Sequence, residues 1–445
     1  MKNKTFYMIS LGCAKNSVDS ESMAQILAGS GYQLSAEPSQ ARILIVNTCG
    51  FIGPAREESY EVLQDLASKK RQGQILIAAG CLTQRYGKDV VSKVPGIDGV
   101  LGTRRWMDIL DVVDNLREGK HPGPLYHLPE VASVGTDEHG VLRAGIQGRS
   151  AFIKIADGCR RPCAFCAIPL IKGTAVSRPM DVIIDEARRL SDMGMHELNL
   201  IAQDTTDYGY DLGIKDGLAK LLEKLTGAVP GVDWLRIMYA YPGYITDRLI
   251  EVMSTHPQVL PYLDIPLQHA HPDTLRRMKR PANMDWVYRT LEKMRRTMPG
   301  LALRTTFIVG YPGETEAEFQ TLLDFIQAIR FDRVGTFQFS FEPGTSSEPL
   351  GDPIPAEVKE ERYDRLMTLQ QGISLERNQE FVGHTLDVLF EGQGDGMSMG
   401  RSYRDAPEID GLVIVEGSVS QGALLPVRIN GAMAYDLSGV LAVQS

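Results

Sequence analysis

Three cysteines spaced C-x3-C-x2-C, Cys159, Cys163 and Cys166, stand in the stretch Asp157-Gly158-Cys159-Arg160-Arg161-Pro162-Cys163-Ala164-Phe165-Cys166, directly after an apolar run at 151–156. Thiolates on one tight loop can hold three irons of a 4Fe-4S cube and leave the fourth iron open, because iron-sulfur clusters are bound through cysteine. A structural zinc site asks for four ligands, usually in two Cys pairs, and no fourth Cys or His lies near in sequence. A disulfide needs an oxidising compartment and would leave one cysteine of the loop over. The spacing therefore favours an open iron-sulfur site, with zinc as the weaker alternative.

Each of three further cysteines follows a short apolar run: Cys13 after 6–11, Cys49 after 43–46 and Cys81 after 75–79. Runs of this kind read as parallel strands buried on both faces. Open α/β sheets bind ligands just beyond the carboxyl ends of their strands. The three thiols are thus expected to converge at one sheet edge as a second metal or cluster site, although each alone would more often be a small buried hydrophobe. Asn16 can cap a first helix with Asp19 and Glu21 in its opening turn, and Pro54 suits the first turn of a second, ahead of Glu57 and Glu58.

These residues need a framework, and 445 residues exceed what one core normally supports. The fold class expected is α/β in three parts. Residues 4–119 read as an open α/β domain carrying the first cysteine set, and 120–144, with Pro122, Pro124 and Pro129, as a linker with one short strand. Residues 145–375 hold six strand-helix units, with strands near 151–156, 197–202, 234–239, 262–267, 303–309 and 334–341. Helices fall at 180–193, 218–225, 285–298 and 316–329. Such alternation implies an open, partial (β/α)6 barrel with its chemistry at the carboxyl ends of the strands. From about 373 the composition changes to short strands and glycine-rich turns, so 376–445 are expected to form a small OB-like β-barrel.

Other strand ends suit a ligand too. Gln203-Asp204-Thr205-Thr206 offers polar groups for the two ends of an amino-acid-like cofactor. In Gly310-Tyr311-Pro312-Gly313-Glu314 the glycines permit close backbone approach, though the stretch alone is an ordinary turn. Arg276, Arg277, Lys279 and Arg280 read as a solvated helix face with no site role.

The 43% hydrophobic and 23% charged fractions are those of a globular protein. The first residues lack the long apolar segment of a signal peptide, and no run approaches the ~18 residues of a membrane span. A cytoplasmic location follows, where free cysteines serve metals more often than cross-links. A net charge of -9 speaks weakly against nucleic acid as the main partner. From 373 onward there are ten carboxylates against four arginines and no lysine. A barrel gripping RNA should be basic and aromatic, whereas this one should attract a basic partner.

Cys-Arg-Arg-Pro-Cys-Ala-Phe-Cys-Ala-Ile-Pro at 159–169, following a first strand, resembles the radical S-adenosylmethionine (SAM) enzymes and, among them, the methylthiotransferases. The resemblance covers nearly the whole chain and makes the last barrel similar to a TRAM module. It implies two 4Fe-4S clusters, one on Cys13, Cys49 and Cys81 and one on Cys159, Cys163 and Cys166. SAM would serve as radical precursor and methyl donor. Gly310, Gly313 and Glu314 then resemble the family's Gly-x-Pro-Gly-Glu SAM-contacting motif, and Ser177-Arg178 a polar pair after its cluster loop. Gln203 and Asp204 join them as cofactor-binding candidates, and no catalytic side chain is expected beyond the cluster ligands.

The stretch 201–209 and the acidic barrel look most similar to the branch that methylthiolates the β-carbon of an aspartate in a small-subunit ribosomal protein. That resemblance implies hydrogen abstraction by a SAM-derived radical, with sulfur held at the amino-terminal site. The partners expected are a basic ribosomal protein, docked partly by the acidic last domain, and a one-electron donor protein, without direct nucleic-acid or membrane binding. Two alternatives stand. A methylthiotransferase acting on tRNA adenosine should carry a basic last domain, and a non-catalytic iron-sulfur protein would need only the cysteines.

Overall fold

The apolar runs near the amino terminus do form parallel strands buried on both faces. In the computed structural model, which describes residues 4–119, 122–135 and 138–442, β1 (Thr5–Ser10), β2 (Gln33–Leu34), β3 (Ile43–Thr48), β4 (Ile75–Gly80), β5 (Gly99–Gly102) and β6 (Leu125–His127) make one sheet in the order β2-β1-β3-β4-β5-β6. Every pairing in it is parallel. Helices α1 (Ala14–Gly29), α2 (Gly53–Lys69), α3 (Cys81–Tyr86), α4 (Lys88–Lys93) and α5 (Ile109–Glu118) accompany it. Ile45 faces a core with Phe6, Leu27 and Trp106, and its neighbours Leu44 and Val46 face another with Leu63 and Leu76. Both faces of β3 are covered, which is why its sequence shows no polar alternation. The order reverses between β1 and β3, and such switch points are where doubly wound sheets bind ligands.

One detail differs from expectation. The helix after β1 starts at Ala14 with Cys13 at its N-cap, so Asn16 lies inside the first turn and caps nothing. Its buried side chain instead joins strand ends, as set out below. The expected linker does hold one short strand, β6, which extends the amino-terminal sheet. Its positions 120, 121, 136 and 137, like 1–3 and 443–445, lie outside the described residues.

By packing, the chain divides into two compact units. The first comprises Met1–Gly145, Phe152–Arg178 and Ser340–Pro349, and the second Ile146–Ala151, Pro179–Phe339 and Leu350–Ser445. Strands β7 (Ala144–Gln147) and β8 (Ser150–Lys154) pass from one to the other, and β9 (Ala156–Asp157), α6 (Ile168–Lys172) and β10 (Val176–Ser177) belong to the first. β9 and β10 pair antiparallel, with Ser177 opposite Ala156.

The second unit contains the strand-helix alternation: α7 (Met180–Asp192), β11 (Glu197–Ile201), α8 (Gly217–Ala228), β12 (Trp234–Ile237), α9 (Asp247–Thr255), β13 (Tyr262–Asp264), α10 (Pro272–Arg277), α11 (Met284–Thr297), β14 (Ala302–Val309), α12 (Glu316–Ile329) and β15 (Arg333–Gln338). The strands form an open arrangement of two sheets, β12-β11-β8-β7, with residues 146–151 of β7 and β8 in this unit, and β13-β14-β15. The Ala240 N–H donates to Asp264 O at 2.9 Å where β12 leads out toward β13. Thr246, Asn283 and Thr315 cap α9, α11 and α12, and Thr315 with Glu318 completes a capping box.

A long helix, α13 (Ala356–Gln379), runs through the point at 373–376 where the last domain was expected to start. Its buried face is largely polar, with Lys359, Arg362, Gln370, Ser374 and Asn378 beside Leu366 and Ile373, so it lacks the apolar periodicity that marks an ordinary surface helix. The barrel begins at β16 (Thr385–Gly394) and closes with β17 (Met397–Ser402), β18 (Val413–Glu416), β19 (Leu424–Ala432) and β20 (Leu437–Leu441) in the order β16-β17-β18-β20-β19. Val388, Phe390, Val413, Val427 and Ile429 fill it.

Buried ion pairs join this barrel to the (β/α) strands of the same unit. Glu197 accepts from Arg236 Nε at 2.8 Å and Arg401 Nη2 at 2.6 Å. Asp410 accepts from Arg304 Nε at 3.2 Å and the Tyr262 hydroxyl at 2.7 Å. Arg333 reaches Asp405 at 2.7 Å, and Arg404 reaches Asp332 at 3.0 Å. Asp405 and Asp410 among the acids counted from the sequence, and Arg401 and Arg404 among the arginines, are therefore structural. Asp387, Asp395, Glu408 and Glu416 remain exposed, and Arg428 is the exposed cation beside them.

Candidate functional site

All six cysteines lie in the first unit, and all are free thiols. The sheet brings the first three together at the carboxyl ends of β1, β3 and β4. A Cβ at Gly12 would lie 2.9 Å from Cys49 Cβ and 3.1 Å from its Sγ, so the residue before Cys13 rests against Cys49. A Cβ at Gly50 would come within 2.6 Å of Leu82 Cα and 2.8 Å of the Cys81 carbonyl carbon, which sets the Cys49 turn against Cys81. Glycine at both positions is what allows this approach.

Asn16 ties these ends. Its Nδ2 donates to Leu11 O at 2.9 Å and Thr48 O at 3.0 Å, and its Oδ1 accepts from the Cys81 thiol at 3.6 Å. The Cys49 N–H donates to Ser59 Oγ at 3.0 Å. Burial raises the Cys49 thiol and pushes the Cys81 thiol up to about 12, against the opposing pull of Lys172. Loading such thiols with metal therefore has to displace protons.

The second set sits on the loop between β9 and α6. The Cys159 N–H donates to Gly173 O and the Cys166 N–H to Cys163 O, both at 3.1 Å. Ser347, in the Ser340–Pro349 segment, donates its N–H to Ala164 O at 2.9 Å. The same segment carries Glu342, whose buried carboxylate accepts from Arg85 Nη1 at 2.7 Å and the Gly53 N–H at 3.1 Å and pairs with Arg56. Arg85 also donates to Gly50 O at 3.0 Å. One short segment thus braces both cysteine regions.

Between them lies a buried charge network. Asp19 on α1 accepts from Arg143 Nη2 and Lys154 Nζ, both at 2.6 Å, and from Lys172 Nζ at 3.0 Å. Asp157 accepts from Lys154 at 3.2 Å and Lys172 at 3.1 Å. Burial would raise the Asp19 carboxyl, but Lys154, Lys172 and Arg143 hold it below the ordinary range. The two lysines diverge: burial lowers Lys154 in spite of its carboxylate partners, whereas Asp157, Asp19 and Cys81 overcome burial and hold Lys172 raised.

The remaining candidates divide between the units. Ser177 and Arg178 are in the first, where the Arg178 N–H donates to Ile155 O at 2.9 Å and its Nη1 to Lys154 O at 2.8 Å. Gln203, Asp204, Gly310, Gly313 and Glu314 are in the second. Asp204 Oδ1 accepts from Thr206 N–H at 3.0 Å and caps a short helical turn. Gly310 and Gly313 adopt φ of +71° and +80°. The Glu314 side chain is wholly enclosed, accepting from Gly310 N–H at 3.1 Å and from Arg362 at 2.7 Å, so it holds the turn from inside. Arg277 and Arg280 are not a solvated face either. Arg277 donates to Gly313 O at 3.1 Å and pairs with Glu318 at 2.9 Å, and Arg280 lies buried over the Tyr241 ring, 4.2 Å from its centroid.

Three family models match the chain: an uncharacterised protein family, UPF0004, over 5–102, the radical SAM superfamily over 153–326 and the TRAM domain over 382–442. A relative from Roseiflexus sp. (strain RS-1), named ribosomal protein uS12 methylthiotransferase RimO, is 47% identical over 98% of this chain and 96% of its own length. Another of the same name, from Chloroflexus aurantiacus, is also 47% identical, over 98% of this chain and 99% of its own. The chain belongs to the RimO family. Among solved structures, the radical SAM methyltransferase TsrM from Kitasatospora setae shares the fold, with a TM-score of 0.58 at 13% identity over 90% of this chain and 81% of that one.

As a radical SAM methylthiotransferase of the RimO family, the chain uses 4Fe-4S clusters and SAM, and its residues fit them. Six free thiols in two sets of three make the donor set that two such clusters require. The first set converges without a disulfide, and the second lies on a backbone-pinned loop. What sequence reasoning missed is the surroundings: Asp19, Lys154, Lys172, Glu342 and Arg85. A faint signal existed in Lys154, a charge in the middle of an apolar run, since lysine is almost never fully buried unless paired.

Proposed function

We propose that this chain, like the uS12 methylthiotransferases it resembles, inserts a methylthio group at the β-carbon of an aspartate in ribosomal protein uS12. The observation that carries the reading is the gathering of two three-thiol sets into one compact unit, at strand ends and on one pinned loop. Cys159, Cys163 and Cys166 hold one 4Fe-4S cluster, and Cys13, Cys49 and Cys81 hold the other. When bound, the clusters and SAM supply electron transfer, a carbon radical able to take hydrogen from an unactivated carbon, and sulfur and methyl for transfer.

The chain's own residues orient and shield these groups. Asn16, Gly12 and Gly50 keep the first thiols at one sheet edge. Gly173 and Ser347 fix the loop of the second. In the second unit, the turn at Gly310 and Gly313, held by Glu314 and Arg277, and the polar pair Gln203 and Asp204 are the SAM-binding candidates; in the first, Ser177 and Arg178 are. No side chain acts as acid or base. Exposed acids of the last barrel dock the basic protein substrate, and a one-electron donor protein reduces the enzyme. No described helix is long and apolar enough to cross a membrane, which suits a cytoplasmic enzyme.

The test is anaerobic reconstitution of the full chain followed by reduction with SAM and a uS12-derived peptide. Methylthio mass on one aspartate, with 5′-deoxyadenosine as co-product, is the expected result. Modification of tRNA in place of the peptide would shift the substrate to the tRNA class, and no 5′-deoxyadenosine would leave only an iron-sulfur binding protein.

A further inference from the structure

Helix α6 starts two residues after Cys166 and ends at Lys172. Along its length Ala167 and Ile171 pack against Cys81 of the other thiol set. At its end the Lys172 ammonium is buried between Asp19 and Asp157, at 3.0 and 3.1 Å. Asp19 lies on α1, whose N-cap is Cys13, and Asp157 stands two residues before Cys159. One cation therefore touches the element behind each thiol set. Stability is a poor reason for such a group, because an apolar side chain of similar volume often serves a buried site as well as an ion network does. Lysine offers a compact point charge where arginine would spread it over a planar fork.

Resting on the two-cluster reading above, we propose that Lys172 is a positioning residue for sulfur transfer, fixing the amino-terminal thiol set against the SAM-cluster loop and holding a positive charge at the end of the helix that packs on Cys81. A fixed cation in a dry interior acts far more strongly than in water, and it favours the more negative states of the centre beside it. Removing it should make the amino-terminal centre harder to reduce and loosen the spacing that links radical formation to sulfur transfer.

The experiment uses the full chain, reconstituted anaerobically, as wild type, Lys172→Met, Lys172→Arg and Asp19→Asn. Potentials are read by EPR-monitored titration in a Cys163→Ala background, where the amino-terminal cluster titrates alone. Coupling is read without that change, as 5′-deoxyadenosine formed per methylthiolated uS12 peptide. Lys172→Met should move the potential to a more negative value and raise that ratio by about tenfold or more, the scale of a small misplacement at a reacting site. Lys172→Arg should restore the potential. A wild-type potential and ratio in Lys172→Met would overturn the proposal, as would a Lys172→Arg potential displaced as far as that of Lys172→Met. Should Lys172→Met take up no iron at the amino-terminal site, Asp19→Asn decides, since it keeps the cation and removes an anion. Its potential must move to a less negative value, and an unchanged one would overturn the proposal. If the wild type itself yields no methylthiolated peptide, the two-cluster reading fails, a result distinct from a normal wild type matched by a normal Lys172→Met.

Discussion

Both compact units bury carboxylates with cations, yet the two networks are built from different cations. In the second unit the cations that Glu197, Asp264, Asp332, Asp405 and Asp410 meet are arginines: Arg236, Arg304, Arg333, Arg377, Arg401 and Arg404. In the first, Asp19 and Asp157 meet two lysines as well as Arg143. Arginine stays charged and forks onto carboxylates, which suits a seam between a barrel and an added domain. Lysine responds to its surroundings, as the opposite displacements of Lys154 and Lys172 illustrate. The lysine network lies among the elements that carry the candidate cluster ligands, and the arginine network belongs to the other unit. The two should therefore fail differently: damage in the first unit ought to remove chemistry, and damage in the second ought to remove stability.

The largest effect expected is on chemistry. Cys163→Ala should abolish 5′-deoxyadenosine formation while leaving about four iron atoms per chain in place of about eight. Cys49→Ala should lose the same amount of iron and all methylthiolation but still cleave SAM. Full methylthiolation by Cys49→Ala, measured by peptide mass, would break the assignment of the first thiol set.

Next in size is the seam. Glu197→Gln leaves Arg236 and Arg401 buried against a neutral partner, which should destabilise the chain by about 3–5 kcal/mol. Thermal unfolding of the second unit would show it, with 5′-deoxyadenosine formation by the remaining folded protein little changed. Burial would raise the Glu197 carboxyl, but Arg401 and Arg236 depress it to about 2. A depressed acid stabilises above its unfolded value of about 4.3, and that contribution is lost as pH falls toward its folded value. Wild type should thus lose stability between about pH 5 and pH 2 more steeply than Glu197→Gln. Parallel curves would mean that the pair contributes little.

How much of this was legible in the sequence follows from the range of the signals. The cysteine spacing is local, and the strand ends follow from short apolar runs, so the grouping of the thiols and the order of the domains could be read directly. Asn16 was misread because the same residue serves as a cap or as a buried strand tie, and only tertiary context decides. Helix α13 was not read at all, because its buried face is largely polar and shows no apolar stripe. Lys172 and Glu342 are separated in sequence from most of their partners, Asp19 and Arg85, and no local pattern announces a pairing that folding alone creates. The acidic last domain was read correctly as acidic, but composition could not show that Asp405 and the carboxylate of Asp410 are buried.

That burial changes how docking should be tested, and the effect expected is the smallest of the set. Deleting the last domain would strip partners from Glu197, Asp332, Arg304 and Arg333 at once, so lost activity would report a broken seam and not lost docking. Asp395 and Glu416 offer a cleaner probe. Both are exposed, and they lie at one end of the barrel, where the Gly417 N–H donates to Gly396 O at 2.9 Å. Asp395 has a φ of +51°, a conformation that asparagine also tolerates. The double variant Asp395→Asn, Glu416→Gln should therefore fold normally. Rim charges act mainly on encounter rate and salt dependence. The variant should raise KM for uS12 by a few-fold at low salt, leave kcat unchanged and narrow the gap between low and high salt, where exposed charges are screened within ~10 Å at 0.1 M. A KM equal to wild type at every salt concentration would confine the barrel's charges to solubility and leave the arginine seam as its whole contribution.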